Sequence, residues 1–320
     1  MMKKIAVITS GGDCPGMNAA IRAAVRVALA HDAEVWGIKN GYAGMIAGDM
    51  RVLDSRSVGD IIQKGGTFLG TARSEEFKTL AGRQKAAANL TARGIEGLIV
   101  IGGDGSLTGA RHLGELGIKF VGLPGTIDND IWGTDYTIGF DTAVNTALDA
   151  INKLRDTASA HGRVMLVEVM GRACGWIALT AGLAGGAEII LIPEEPFSEE
   201  EICKKLLESR TKGKQYSIVV VAEGAGSAID LGKSIRAKTG LETRASVLGH
   251  IQRGGAPTVS DRLLASRLAE TAVRALLNGR TEIMIGYQCR QCVEVAIEDA
   301  VGKKKAIDPE LFRLAQVLSQ

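Results

Sequence analysis

The chain has 320 residues, 46% of them hydrophobic and 23% charged, which supplies apolar surface for more than one core and excludes a disordered, charge-rich chain. Thirty-eight basic residues against 36 acidic ones give a net charge of +2, so there is no electrostatic footprint for nucleic acid or an anionic membrane surface. The 41 glycines are dispersed instead of forming low-complexity runs, which favours a fold with many tight strand-to-helix turns.

Residues 1–4 lead straight into an apolar run and not into a signal-peptide core, and no stretch of 18 apolar residues occurs, so a cytoplasmic protein is expected. Apolar runs rich in β-branched residues at 5–8, 34–38, 97–101, 120–123, 163–169, 188–192, 217–222 and 243–248 read as strands covered on both faces. Residues 18–30, 80–93, 142–158, 198–212 and 259–278 carry apolar positions at helical period. Such alternation implies βαβ units and parallel sheets with helices on both faces. Two sheets, each in its own domain, suit this length better than one, with the helix at 142–158 as a bridge. No proline-rich or serine-rich linker marks the border.

The strand ends carry the chemistry. Thr9, Ser10, Gly11, Gly12 and Asp13 follow the run at 5–8, Gly102 to Ser106 follow the run at 97–101, and Pro124 to Asp130 follow the run at 120–123. Ligands sit at the carboxyl ends of strands in open parallel sheets. Glycines let backbone N–H groups approach phosphate oxygens, and a helix start adds a favourable dipole. Neither GxGxxG nor GxxxxGK[ST] is present, so the dinucleotide and Walker A readings lack their signatures. Asp104, between glycines, suits a cation, and Ser106 is expected either to cap a helix over 106–116 or to serve as a ligand. Asp128 and Asp130 flank Asn129, where mutual repulsion can raise one carboxyl into the range of a proton acceptor. Arg163, Arg172, Arg244 and Arg253, with His250 nearby, lie at strand starts or ends and suit a second phosphate-bearing ligand. Arg22 and Arg26 share a helix face. Cys289 and Cys292 have CxxC spacing, but no second pair or histidine cluster accompanies them, which favours structural thiols.

The stretches 9–20, 65–67, 72–73, 102–106, 124–130, 170–172 and 248–255 are together similar to the bacterial ATP-dependent 6-phosphofructokinases, essentially from end to end, the tail after about Gly286 apart. The resemblance implies transfer of the γ-phosphate of Mg-ATP to the 1-hydroxyl of fructose 6-phosphate, giving fructose 1,6-bisphosphate and ADP, the committed step of glycolysis. It also implies an α/β fold of two doubly wound domains with mainly parallel sheets and an active site in the cleft. Residues 1–138 with about 251–302 would bind ATP, and residues 139–250 with about 303–320 would bind fructose 6-phosphate.

Residue by residue, the resemblance makes Asp128 the base, with Asp130 beside it, Gly12 and Arg172 stabilising the migrating charge and Thr126 positioning the group. Asp104 would hold Mg²⁺, and Gly12, Arg73, Ser74, Gly103, Asp104, Gly105 and Ser106 would contact ATP. Thr126, Ile127, Asp128, Met170, Gly171, Arg172, Glu223, His250, Ile251, Gln252 and Arg253 would form the sugar-phosphate site. Arg163 and Arg244 would reach it from a neighbouring subunit, making a homotetramer the expectation. Arg22, Arg26, Arg155, Gly186, Glu188, Lys212 and Lys214 match an intersubunit effector site for ADP or phosphoenolpyruvate.

Some positions depart from the family pattern. Ser55 replaces an effector-site arginine, with Arg56 one position later, and Gln215 replaces a lysine. Trp176 stands where relatives often have aspartate, and Ser74 replaces an aromatic residue beside the adenine. Pyrophosphate-using relatives carry aspartate where this chain has Gly105 and lysine where it has Gly125, so the two glycines favour a nucleotide donor. The other rivals, an NAD or lipid kinase and a non-catalytic sensor, fit residues 170–172 and 250–255 or the full set Asp104, Asp128 and Arg172 less well.

Overall fold

The computed structural model describes residues 2–319; Met1 and Gln320, the outer limits of the expected domain ranges, lie outside the described residues. The chain forms two compact units: Met1–Ile127 with Ile131–Thr142 and Arg253–Lys305, and Asp128–Asp130 with Ala143–Gln252 and Ala306–Gln320.

The first unit begins β1 (Lys4–Thr9), α1 (Met17–Ala30), β2 (Glu34–Ile38), α2 (Gly41–Ala47), β3 (Met50–Leu53), α3 (Glu75–Lys78) and α4 (Leu80–Ala92). It continues through β4 (Gly97–Gly102), α5 (Asp104–Gly114) and β5 (Phe120–Pro124). A long helix, α6 (Phe140–His161), follows; its first three residues belong to the first unit and the rest to the second. The second unit holds β6 (Val164–Val169), α7 (Trp176–Ala184), β7 (Ile189–Leu191), α8 (Glu199–Thr211), β8 (Ser217–Ala222), α9 (Ala228–Thr239) and β9 (Thr243–Val247). After a 3-10 turn at Gly249–Arg253, α10 (Val259–Leu277), β10 (Ile283–Gln288), β11 (Gln291–Ala296) and α11 (Ile297–Gly302) belong to the first unit and α12 (Pro309–Leu318) to the second.

Strands in the first sheet run in the order β11-β10-β5-β4-β1-β2-β3. The central strands β1, β4, β5 and β2 pair in parallel, with Ile5 opposite both Val35 and Gly97. Every residue of β4 and β5 is buried, which explains their unbroken apolar sequences. Chain order reverses between β1 and β4, so the loops after these two strands flank the crevice at the switch point, where open sheets bind ligands. Helices α1 and α10 pack together, and alanines 20, 24 and 28 of α1 and alanines 265, 269 and 272 of α10 are buried. Added bulk at such fully buried positions costs about 1–3 kcal/mol by overpacking.

The second sheet is wholly parallel, in the order β7-β8-β6-β9, with Val164 opposite both Ser217 and Thr243. An α/β fold with mainly parallel sheets is therefore observed. Three strands lie outside the expected set. β3 pairs antiparallel with β2 and β11 antiparallel with β10, both at sheet edges where one side is solvated and the apolar run is broken. The third, β10, is parallel to β5. The CxxC spacing is a hairpin: Cys289 and Arg290 form the two-residue turn between β10 and β11, both with left-handed φ (48° and 66°).

Candidate active site

Two loops of the first unit meet around Ser106. A Cβ on Gly102 would lie 2.5 Å from Ser106 Oγ and 2.6 Å from the Ser10 carbonyl, and one on Gly11 would lie 3.0 Å from the same hydroxyl. Only glycine permits this contact between the β1 and β4 loops. The helix expected to start at Ser106 in fact starts at Asp104, with Gly103 as its N-cap, so the capping role for Ser106 is wrong. An extended Gly103 turns the chain into the helix earlier than the serine suggested, and Ser106 Oγ is left buried without a hydrogen-bond partner.

Neither α1, capped by Gly16, nor α5 has a side-chain cap; Met17 N and Ser106 N are taken by the Cys14 and Gly103 carbonyls, which leaves the N–H groups of the exposed Asp104 and Gly105 for an anion at the rim. Asp104 is exposed on the first turn of α5. A Cβ on Gly105 meets nothing within 4 Å, so packing leaves that position open. Gly125 differs: its Cβ would lie 3.1 Å from Ile101 Cγ2 and 3.4 Å from the Gly102 nitrogen, so internal packing already favours glycine there. Gly105, more than Gly125, therefore bears on the choice of donor.

The remaining parts of this rim are strapped together. Asn18 donates to the carbonyls of Lys64 (3.0 Å) and Gly65 (3.1 Å) and accepts from Phe68 N at 2.6 Å. Thr71 Oγ1 donates to the Gly11 carbonyl at 2.7 Å. Ser74 caps α3 by accepting from Phe77 N; Phe77 stacks on Tyr42 at 3.9 Å, and Tyr42 OH donates to the Ser106 carbonyl at 2.6 Å. Arg73 beside it is exposed. Arg253 Nη1 donates to the Asp13 carbonyl at 3.1 Å, and a Cβ on Gly12 would lie 2.4 Å from the same nitrogen. Thr126 stands beside Gly103, whose Cβ would be 3.5 Å from that of the threonine. Ile127 is fully buried.

In the second unit, Asp128 is only 2% exposed and Asn129 takes a left-handed φ of 55°. Cys174 Sγ donates to the Asp128 carbonyl at 3.0 Å, and burial pushes the thiol up to about 12, which keeps it protonated as a donor. Arg172 Nε lies 3.6 Å from Asp128 Oδ2, with its guanidinium largely in solvent. Glu223 fixes this turn by accepting from Gly171 N (3.1 Å) and Arg172 N (2.7 Å). Gly171 has a φ of 145° and its Cβ would lie 2.3 Å from the Cys174 carbonyl, so no larger residue fits. Met170, Gly171 and Arg172 follow β6, Glu223 follows β8 and the exposed His250 follows β9, all at the carboxyl edge of one sheet. Ile251 is exposed, and Gln252 is buried with its Nε2 donating to the Gly249 carbonyl.

Arg163 and Arg244 are elsewhere. They sit at the amino ends of β6 and β9, where both engage Glu242 Oε1, at 3.0 Å and 2.6 Å. Arg163 above all holds the Glu242 carboxyl below its usual range. Within one chain they are at the opposite end of the sheet from Arg172 and Glu223.

A third cluster surrounds Glu188, which is 4% exposed. Lys214 Nζ is 2.7 Å and Arg155 Nη1 3.9 Å from Glu188 Oε1, and Arg155 Nη2 donates to the Gly186 carbonyl at 2.8 Å. Glu188 also accepts from Ile218 N. Lys212 is the exposed C-cap of α8, whereas Arg22 and Arg26 lie on α1 of the first unit. Ser55 and Arg56 are exposed in the turn after β3.

The family model described as Phosphofructokinase matches residues 4–276. The chain belongs to the phosphofructokinase family. It is 56% identical over 319 residues to the ATP-dependent 6-phosphofructokinase 1 of Clostridium perfringens and 55% identical to the ATP-dependent 6-phosphofructokinase of Clostridium botulinum, covering 100% of each. The phosphofructokinase of Saccharomyces cerevisiae matches 99% of this chain and 48% of its own length, with a TM-score of 0.89 and 37% identity. A pyrophosphate-dependent phosphofructokinase from Marinobacter aquaeolei shares the fold at a TM-score of 0.86, at only 24% identity.

Sequence reasoning missed the residues that hold these loops. Asn18 lies within the 9–20 motif, and its place at a helix start was its one signal. Cys174 had none beyond lying close to Arg172.

Proposed function

We propose that this chain is an ATP-dependent 6-phosphofructokinase, moving the γ-phosphate of Mg-ATP to the 1-hydroxyl of fructose 6-phosphate. The observation that carries the reading is a pair: full-length identity of 55–56% to proteins of that name, and a buried Asp128 held against Arg172 on a strained, tightly bonded turn. In this reading the first unit binds ATP and the second binds the sugar phosphate. Asp128 accepts the hydroxyl proton, while Arg172 and the backbone at Gly12 stabilise charge on the migrating group and Thr126 orients it. Phosphoryl transfer asks for positioning and electrostatics more than covalent participation, which suits a site built from backbone donors, carboxylates and arginines.

Asp104 would hold the magnesium ion. No group of three metal-ligating side chains occurs among the described residues, and magnesium fits that: it takes one or two carboxylates and completes its shell with phosphate oxygens and water. When bound, the ion neutralises charge on the β- and γ-phosphate oxygens. Arg163 and Arg244, remote from Arg172 within one chain, are proposed to serve the sugar site of a neighbouring subunit in a homotetramer. The Glu188 cluster is proposed as part of an effector site for ADP or phosphoenolpyruvate, weakened by Ser55 and Gln215. Among the described residues no helix is long and apolar enough to cross a membrane, and the location is proposed to be cytoplasmic.

A coupled assay with fructose 6-phosphate, magnesium and either ATP or pyrophosphate tests the reading, alongside sedimentation and titration with ADP and phosphoenolpyruvate. ATP-driven turnover by a four-chain species is expected. Turnover with pyrophosphate alone would remove the nucleotide donor, full activity at single-chain mass would remove the shared site, and indifference to both effectors would remove the regulatory part.

A further inference from the structure

Asp261 lies in the first turn of α10 and is 1% exposed, yet its side chain does not serve its own helix. Thr258 caps α10 by accepting from Asp261 N at 3.2 Å, and the carboxylate reaches across to the start of α6. Asp261 Oδ1 accepts from Gly139 N at 2.8 Å, and Oδ2 accepts from Thr142 N (2.8 Å) and Thr142 Oγ1 (2.5 Å). Thr142 Oγ1 in turn accepts from Thr258 N at 3.0 Å, and Thr258 Oγ1 donates to Asp141 Oδ2 at 2.6 Å. The beginnings of α6 and α10 are thus laced to one another.

This lacing leads to the rim. The residue before Gly139 is Ile138, whose carbonyl accepts from Thr126 N at 3.1 Å and from Cys14 Sγ at 3.0 Å. Ile138 N donates to the Pro124 carbonyl at 2.9 Å, and Thr137 Oγ1 donates to the Thr126 carbonyl at 2.6 Å. Gly139 and Gly16 have φ of 101° and 104°; a Cβ on Gly139 would lie 2.6 Å from Cys14 Cβ, and one on Gly16 would lie 2.7 Å from Ile138 Cγ2. There is no slack in which Ile138 could move without carrying both Thr126 and the loop after β1.

We propose that Asp261 is a positioning residue for phosphoryl transfer: its buried carboxylate clamps residues 139–142 and, through Ile138, fixes Thr126 against the loop that contains Gly12. The proposal rests on the reading of Thr126 as the residue that orients the migrating group. A plain capping role makes a different forecast, because a lost cap lowers stability and leaves the turnover of the folded enzyme alone. A clamp on the reacting geometry lowers turnover, since a shift of about 1 Å at a transferring group can cost roughly 10²-fold.

The test uses the full chain and four variants: Asp261→Asn, Thr142→Val, Thr126→Ala, and Asp261→Asn combined with Thr126→Ala. In Asp261→Asn, kcat is expected to fall between about 10-fold and 10²-fold with KM for ATP nearly unchanged. In the Thr126→Ala background the same substitution is expected to cost little more, because both act through one residue. Full kcat in folded Asp261→Asn, or losses that simply multiply in the double variant, would overturn the clamp. Near-normal kcat in Thr126→Ala alone would show instead that the underlying role of Thr126 is wrong, and would take the clamp with it. Should Asp261→Asn fail to fold, Thr142→Val, which removes one donor and leaves the carboxylate, carries the same test: unchanged kcat counts against the proposal.

Discussion

Asp261 shows how a residue can serve a site at the expense of stability. Its carboxyl titrates at about 6 in the fold instead of the ordinary 3.8, because burial disfavours the charge more than the bonds from Thr142 and Gly139 favour it, and Asp141 adds like charge. Arg267, Tyr136 and Tyr287 line the same 450 Å³ cavity as Asp141 and Asp261, and Arg267 is bonded to Tyr287 OH at 3.0 Å. The sign follows from which state loses its proton first. Between pH 3.8 and 6 the unfolded chain is already ionised while the folded chain still holds the proton, so this residue's contribution to stability falls as pH rises, by up to about 3 kcal/mol, and is level above about 6. Urea unfolding of the wild type and Asp261→Asn across pH 4 to 7 isolates that contribution. The stability of the wild type relative to the variant is expected to decline towards pH 6 and then flatten; a constant difference would contradict the account. Thr258 and Asp261 do have the spacing of a capping box, so the position was legible as a helix start. Nothing local in the sequence says that the carboxylate caps a different helix, 119 residues away in the chain from its partner Thr142.

At the scale of elements, the interior strands were readable because burial on both faces writes a continuous apolar run. Edge strands carry no such run. Met50–Leu53 has only Leu53 fully buried, and the β10–β11 hairpin turns on Cys289 and Arg290 in place of the Asn-Gly or Asp-Gly pair that marks such a turn. Holding two non-glycine residues at left-handed φ is costly, about 1–2 kcal/mol each in regular left-handed backbone. The neighbours that bind this turn use its backbone: Asp135 Oδ2 accepts from Cys289 N, and Arg267 donates to the Arg290 carbonyl. Replacing Cys289 with Asn and Arg290 with Gly keeps both bonds, so a gain of about 1 kcal/mol is expected in thermal unfolding. An unchanged or lower melting temperature would show that the side chains hold more than the backbone geometry reveals. The start of α5 was misjudged for a related reason. Ser106 looks like a cap, but an extended glycine begins the helix earlier and leaves the hydroxyl inside it.

Across the whole molecule, the residues named from sequence fall on two units: Gly12, Arg73, Asp104, Thr126 and Arg253 on one, Asp128, Met170, Arg172, Glu223 and His250 on the other. Their types were legible because phosphate chemistry demands glycine, carboxylate and arginine at strand ends. Their supports were not, since Asn18, Cys174 and Asp261 work through backbone groups distant in sequence. That separation also explains why Arg163 and Arg244 looked like companions of Arg172: all are arginines at strand termini, and only the direction of the strands sets them apart. The Asp128 carboxylate is proposed to take the proton of the accepting hydroxyl. Steady-state turnover of Asp128→Asn, measured beside equilibrium binding of ATP, tests it most directly. The expected result is a loss of about 10²–10⁴ in kcat with ATP affinity retained; turnover close to that of the wild type would contradict it.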